Sequence, residues 1–133
     1  MTGIELEKRA LALFSETDTE EYGELALIHI NILLDETWKQ NNRMRRKAGK
    51  EELANRIQLN SLAEEIIFED ELVRQALPYG LAAKLYFDEE DNARLSMFNQ
   101  EYANRLNACD AFVIECVGSG PKLPEDKFPS NWA

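Results

Sequence analysis

The residues able to do chemistry are few and far apart. The single histidine, His29, lies among Leu27, Ile28 and Ile30. No nucleophile is placed near it by sequence, so a Ser-His or Cys-His site has no support, and a structural, hydrogen-bonded imidazole is expected. The two cysteines, Cys109 and Cys116, are seven apart. On a helix that is two turns, about 10 Å along the axis. This is too far for a disulfide within one helix. Two reduced thiols on one apolar face are expected, in a protein assembled in cytoplasm. A further Cys, or a second His, is lacking for a metal pair. Asp88-Glu89-Glu90-Asp91 has neither the alternating ligands nor the central glycine of a calcium loop and reads as an exposed turn and helix cap. No Gly-rich phosphate loop, H-E-x-x-H or di-iron carboxylate-histidine pairing occurs. No cofactor is expected.

One acidic cluster carries an enzymatic alternative. Glu20-Glu21-x-x-Glu24 resembles the first half of the EExxE…ExxD pattern of the all-α nucleotide pyrophosphatases, which hold magnesium on helical carboxylates. The second half needs a glutamate and an aspartate three apart, and no aspartate here has a glutamate three residues before it. A solvated helix N-terminus, which also suits the helix dipole, explains the cluster better.

Charge is unevenly spread. Residues 39–56 hold seven basic residues against two acidic ones, a window of +5, while the remainder carries 8 basic against 23 acidic, or −15. The core of the window is Arg43, Arg45, Arg46, Lys47 and Lys50. Two readings stand. It is a solvated loop that offsets an acidic body, or it lies near DNA phosphates, which Arg and Lys contact without reading sequence. No helix-turn-helix signature accompanies it.

The elements that must position these residues are helical. The 133 residues fit one domain, and 44% apolar content is ordinary for a globular chain. The longest uncharged apolar run, Leu25 to Leu34, is ten residues, too short to cross a membrane. The N-terminus has no apolar stretch behind a basic start, so no secretory signal is expected. Residues 3 to 15 read as a first helix, with Ile4, Leu11 and Phe14 at helical spacing. Asp18 and Glu21 have the spacing of a capping box, opening a second helix from about Thr19 to about Gln40. Its apolar residues cover more than one face, as in a helix central to a bundle or buried between subunits. Asn41 to Lys50 reads as a basic loop. For Glu51 to Leu62 a helical continuation is open, and Ile66 to Phe68 reads as extended. A third helix is expected from Asp70 to Phe87, with Pro78 inside it. Either the helix kinks there or it begins anew; the unbroken apolar stripe favours a kink. Pro78, Tyr79 and Gly80 then shape the packing, with Gly80 letting another helix come close. A fourth helix, Asn92 to Glu115, sets Leu95, Phe98, Tyr102, Leu106, Cys109 and Val113 three or four apart.

From Val117 the chain changes character. Three prolines and two glycines exclude a long helix, yet Leu123, Phe128 and Trp132 are large apolar anchors. Such a segment is expected to be mobile alone and to order on a partner.

The run Ala76-Leu77-Pro78-Tyr79-Gly80-Leu81-Ala82-Ala83, an acidic turn, then Phe98-Asn99-Gln100-Glu101-Tyr102 resembles the small helical connector (adaptor, head-completion) proteins of tailed bacteriophages. The resemblance covers about the central third of the chain. It implies a non-enzymatic structural subunit of a homo-oligomeric ring in the virion neck. The portal protein would lie on one side, tail-proximal neck or tail proteins on the other, and packaged DNA within. The C-terminal anchors would dock on the portal or on a neighbouring subunit. The alternative is a small cytoplasmic helical regulator or interaction module without enzymatic activity. The expected fold is all-α: an antiparallel bundle of about four helices over residues 1–116, with a long basic loop, and an extended tail over residues 117–133.

Overall fold

A computed structural model describes residues 1–86 and 91–118, the side chains of 111–118 excepted. The fold is all-α. Among the described residues the helices are α1 (Gly3–Ala12), α2 (Thr19–Glu36), α3 (Trp38–Lys47), α4 (Asp70–Gln75), α5 (Leu77–Leu85) and α6 (Asn92–Gly118).

Local chemistry fixes most of these boundaries. Thr2 and Glu5 form a full capping box at the start of α1, which satisfies two otherwise orphaned N–H groups. Ser15, at φ +62°, takes the left-handed turn beyond the helix, and Glu16 N–H reaches back to Leu11 O at 2.9 Å. Asp18 accepts from Glu21 N–H at 3.1 Å and opens α2. Thr37 separates α2 from α3: its hydroxyl donates to Leu33 O at 2.8 Å, a back-bond that bends helices.

Three expectations need correction. The basic segment is not a loop, because Trp38–Lys47 is helix α3. Its inward face is polar, burying Asn41 and Asn42 beside Met44, so apolar periodicity could not mark it. Second, residues 51–62 form no helix. Third, the chain does not kink through Pro78 but breaks at Ala76 (φ −108°, ψ −45°) and begins anew. Pro78 falls in the first turn of α5, where its missing N–H costs nothing. Tyr79 N–H bonds Ala76 O at 3.1 Å, and the Gln75 carbonyl left over accepts from Arg105 Nη1 at 3.3 Å.

Residues 51–59 lie antiparallel along α3 and then α2 as a strap. Arg45 Nε donates to Glu51 O at 2.6 Å. Asn42 exchanges two bonds with the Leu53 peptide, at 2.8 and 3.2 Å. Trp38 Nε1 donates to Asn55 O at 3.3 Å, and Arg56 Nη1 bonds Asp35 O at 3.0 Å. Asn31 exchanges two bonds with the Leu59 peptide, at 2.7 and 3.0 Å. The rungs fit the two rises: fourteen helical residues span about 21 Å, and eight extended ones reach about 26 Å.

The chain then meets the N-terminus, where Ile66 N–H bonds Met1 O at 2.9 Å and Ile4 N–H bonds Leu62 O at 2.9 Å. Ile66 and Phe68 are buried, Phe68 at a bend, and Glu69 N–H bonds Asn41 Oδ1 at 2.7 Å. The core beneath comprises Leu6, Leu11, Ile30, Leu33, Leu34, Leu72, Leu77, Leu81, Leu85 and Phe98. Full burial of such side chains contributes about 1.5–3 kcal/mol each before entropy. An aromatic group closes one end, with ring centroids of Phe14–Tyr86 at 5.2 Å and Tyr86–Phe98 at 5.7 Å.

Candidate interaction surfaces

The basic cluster sits on α3 and just beyond it, and carboxylates meet most of its members. Arg43 pairs with Asp110 on α6 at 2.8 Å. Arg45 and Lys50 converge on Glu69, at 3.2 and 3.0 Å. Arg46 pairs with Glu52. Lys47 is half-buried and has no ion pair among the described residues. Arg46 and Lys50 keep side-chain exposures of 59% and 54%. They can still meet an anion from outside, whereas Arg45 at 21% is largely committed to holding α3 against the strap and α4.

The helix pair that carries the connector resemblance is in direct contact. A Cβ placed on Gly80 would stand 2.7 Å from Tyr102 Cε1 and 3.0 Å from Leu33 Cδ2. Only glycine allows α5, α6 and α2 to meet so closely. Burial raises the Tyr102 phenol pKa, with Glu36 adding to it. Tyr79 is half-buried under Arg105, whose guanidinium carbon lies 4.4 Å from the ring centroid. Arg105 also bonds Glu101 at 2.7 Å, so it joins the α4–α5 break to α6. The tail anchors Leu123, Phe128 and Trp132 lie outside the described residues, and α6 extends through Val117 and Gly118.

Three buried polar atoms lack a hydrogen-bond partner among the described residues: His29 Nδ1, Glu7 Oε2 and Asn41 Nδ2. The expected hydrogen-bonded imidazole is therefore corrected at Nδ1. Burial lowers the His29 pKa, helped by Lys84. Burial raises the Glu7 carboxyl. Cys109 is buried and free. Burial first, then Glu71 and Asp110, push its thiol up to about 11, which makes it a poor nucleophile. Among the described residues no group of three or more His, Cys, Asp or Glu side chains could hold a metal ion, and no helix is long and apolar enough to cross a membrane.

Among the described residues, α2 carries an uncovered apolar stripe. α2 buries Ala26, Ile30, Leu33 and Leu34 but leaves Leu25, Ile28 and Ile32 exposed, Ile28 to 52%. These three fall at spacings of three and four, a single stripe. Beside it lies a groove of about 440 Å³ lined by Ile28, Asn31, Ile32, Asp35, Glu36 and Gln58.

The chain matches no family model, no curated protein and no solved structure. Sequence reasoning saw that α2 is apolar on more than one face but did not separate the exposed stripe from the buried one. It missed the asparagines altogether. Their signal was faint: Asn31, Asn41 and Asn42 interrupt helical segments that disfavour them.

Proposed function

We propose that this chain is a structural subunit of the head–tail connector ring of a tailed bacteriophage, joining the portal to the tail and forming part of the DNA passage. The observation that carries the reading is the contact of Gly80 with Tyr102, because the two segments that resemble the connector family are packed against each other there. If α2–α3 and α4–α5 are each taken as one helix broken at a single residue, the described helices number four, as many as the four-helix core that the resemblance implies. Its role is mechanical, not catalytic, and its place is the virion neck after assembly in the host cytoplasm.

The partners are further copies of itself, the portal protein and a tail-proximal neck or tail protein. Arg43, Arg45, Arg46, Lys47 and Lys50 would face the lumen from α3 and the turn after it, near passing DNA. Arg46 and Lys50 are best placed to lend charge to a phosphate. Leu123, Phe128 and Trp132 would dock on the portal or a neighbouring subunit.

Native mass measurement of the purified protein, alone and mixed with portal protein, tests the reading. A large closed ring under either condition supports it. A monomer or dimer under both overturns it and favours a small helical regulator.

A further inference from the structure

We infer that the C-terminal segment of one copy, residues 119–133, docks on the exposed α2 stripe of a neighbouring copy. Lys127 then lies by Glu21 and Glu24, Phe128 covers Leu25 and Ile28, and Trp132 enters the groove at Ile32. The inference rests on the ring reading above and names the surface that takes the tail.

The stripe has two unlike ends. At helical spacing, Glu21 and Glu24 share its face on the N-terminal side, Asp35 and Glu36 on the C-terminal side. Asp35 is met by Arg56 at 2.9 Å and Glu36 by Lys84 at 3.6 Å. Glu21 and Glu24 have no ion pair among the described residues. A fitting occupant is therefore apolar along the stripe and basic only over the start of α2. The segment beyond Gly118 has that order: Lys127 immediately precedes Phe128, and Trp132 follows four residues on with no charge between them. In the extended form that prolines favour, Phe128 and Trp132 would stand about 12 Å apart. Leu25 and Ile32, seven helical residues apart, are about 10 Å apart. The groove of about 440 Å³ at Ile32 gives room for an indole. A buried indole N–H needs an acceptor, and Asp35 and Gln58 line that groove.

Reach excludes the chain's own stripe in this register. α6 runs parallel to α3, since Gln40 bonds Leu106 O and Arg43 bonds Asp110. It ends at Gly118, a further two turns beyond Asp110 and away from α2. Leu25 lies on the opposite side of Arg43, at the far end of the α2–α3 rod. At the helical rise, Gly118 and Leu25 of one copy are about 39 Å apart along that axis. The chain from Gly118 to Phe128 spans at most about 36 Å when fully stretched. The donor is therefore another copy. Each copy gives one tail and takes one through two different patches, the heterologous kind of contact from which rings close.

A fluorescein-labelled peptide of residues 119–133 is the probe, with full-length chains as targets. The chain with Phe128→Ala and Trp132→Ala leaves its stripe free and should bind the peptide. Adding Ile28→Asp, at an exposed position, should weaken binding by about tenfold or more, with helix content by circular dichroism unchanged. A Lys127→Glu peptide should bind more weakly than a Lys122→Glu peptide. In native mass spectrometry the double-alanine chain and the Ile28→Asp chain should each lose the wild-type assembly. Mixed, they should form a one-to-one heterodimer and nothing larger, since one supplies the tail and the other the stripe.

That heterodimer, with peptide binding lost on Ile28→Asp, supports the inference. Peptide that binds equally with and without Ile28→Asp, or does not bind at all, overturns it. Assembly lost with Ile28→Asp but untouched by the double-alanine change indicates a contact between stripes and also overturns it. A large ring unaffected by either variant overturns the tail contact while leaving the connector reading intact. A small assembly of a few copies that both variants break supports the tail contact and counts against the connector. Wild type that stays monomeric, yet binds the peptide less than the double-alanine chain does, places the tail on its own stripe and overturns the inference.

Discussion

The Asn31 side chain pairs with the backbone N–H and C=O of Leu59 through two opposed hydrogen bonds: Leu59 N–H donates to Oδ1 at 2.7 Å, and Nδ2 donates to Leu59 O at 3.0 Å. A side-chain amide here does what a neighbouring strand does in a sheet. Leu59 is buried at 4% exposure, so its peptide needs such a partner.

Asn31→Ala should therefore cost about 1–3 kcal/mol by urea denaturation, because it leaves two peptide groups unpaired. Asn31→Asp keeps the acceptor and loses the donor, and should also destabilise. Amide hydrogen exchange at Leu59 should quicken in both, while exchange at Leu81 in the core follows only the global loss. Unchanged protection at Leu59 would show that the pair does not hold the strap.

Gly80→Ala should cost about 1–3 kcal/mol, the usual range for overpacking. The added methyl meets Tyr102 and Leu33 at once. Combining it with Tyr102→Leu should show coupling, the double variant losing less than the two losses added. Additive losses in denaturant melts would mean that the Gly80 cost comes from elsewhere.

The ion pairs on α3 should rank by burial. Arg46→Ser removes an exposed pair and should change stability by less than about 0.5 kcal/mol. Arg45→Ser removes a bond to the Glu51 carbonyl and one partner of Glu69, whose side chain is 15% exposed, and should cost about 1–2 kcal/mol. Equal effects of the two changes, read from urea midpoints, would contradict this ranking.

Glu7 and His29 should tilt stability with pH in opposite senses. Glu7, 1% exposed, has a folded pKa above its ordinary 4.5. The native state therefore holds this proton more tightly, and the associated stability is lost as pH rises through the folded value. His29 has a folded pKa below its ordinary 6.5. The unfolded chain takes that proton first, so stability falls as pH drops below the ordinary value. Glu7→Gln should stabilise the protein near neutrality, by on the order of 1 kcal/mol, and His29→Gln should flatten the loss on acidification. Urea midpoints taken from about pH 4 to about pH 8 check both signs.

The fold was partly legible in the sequence. α1, α2, the stretch after Asp70 and α6 announce themselves because Leu, Ile and Phe recur at helical spacing on faces that pack inward; Phe98 and Cys109 are buried on α6 as that spacing requires. α3 was hidden because it turns Asn41 and Asn42 inward and most of its charge outward, so no apolar period exists to read. The strap was hidden for a related reason. Its positions are set by amide pairs across the chain, and such pairs leave no local pattern. Pro78 was visible, but whether it bends a helix or restarts one depended on Arg105 taking the Gln75 carbonyl from α6, thirty residues away. The exposed stripe on α2 differs from its buried stripe only in what lies over it.

The strap bears on how the chain finds its shape. Its rungs join residues 6, 11, 17, 21 and 28 apart in sequence, in order from the α3 turn to Leu59. Each rung shortens the free loop that the next must close, so the entropy of closure is met in small steps, not in one large one. This part of the molecule can close like a zipper from Glu51 onward. A defect at the first rungs, Arg45 or Asn42, would then slow folding, whereas one at the last, Asn31, would chiefly speed unfolding.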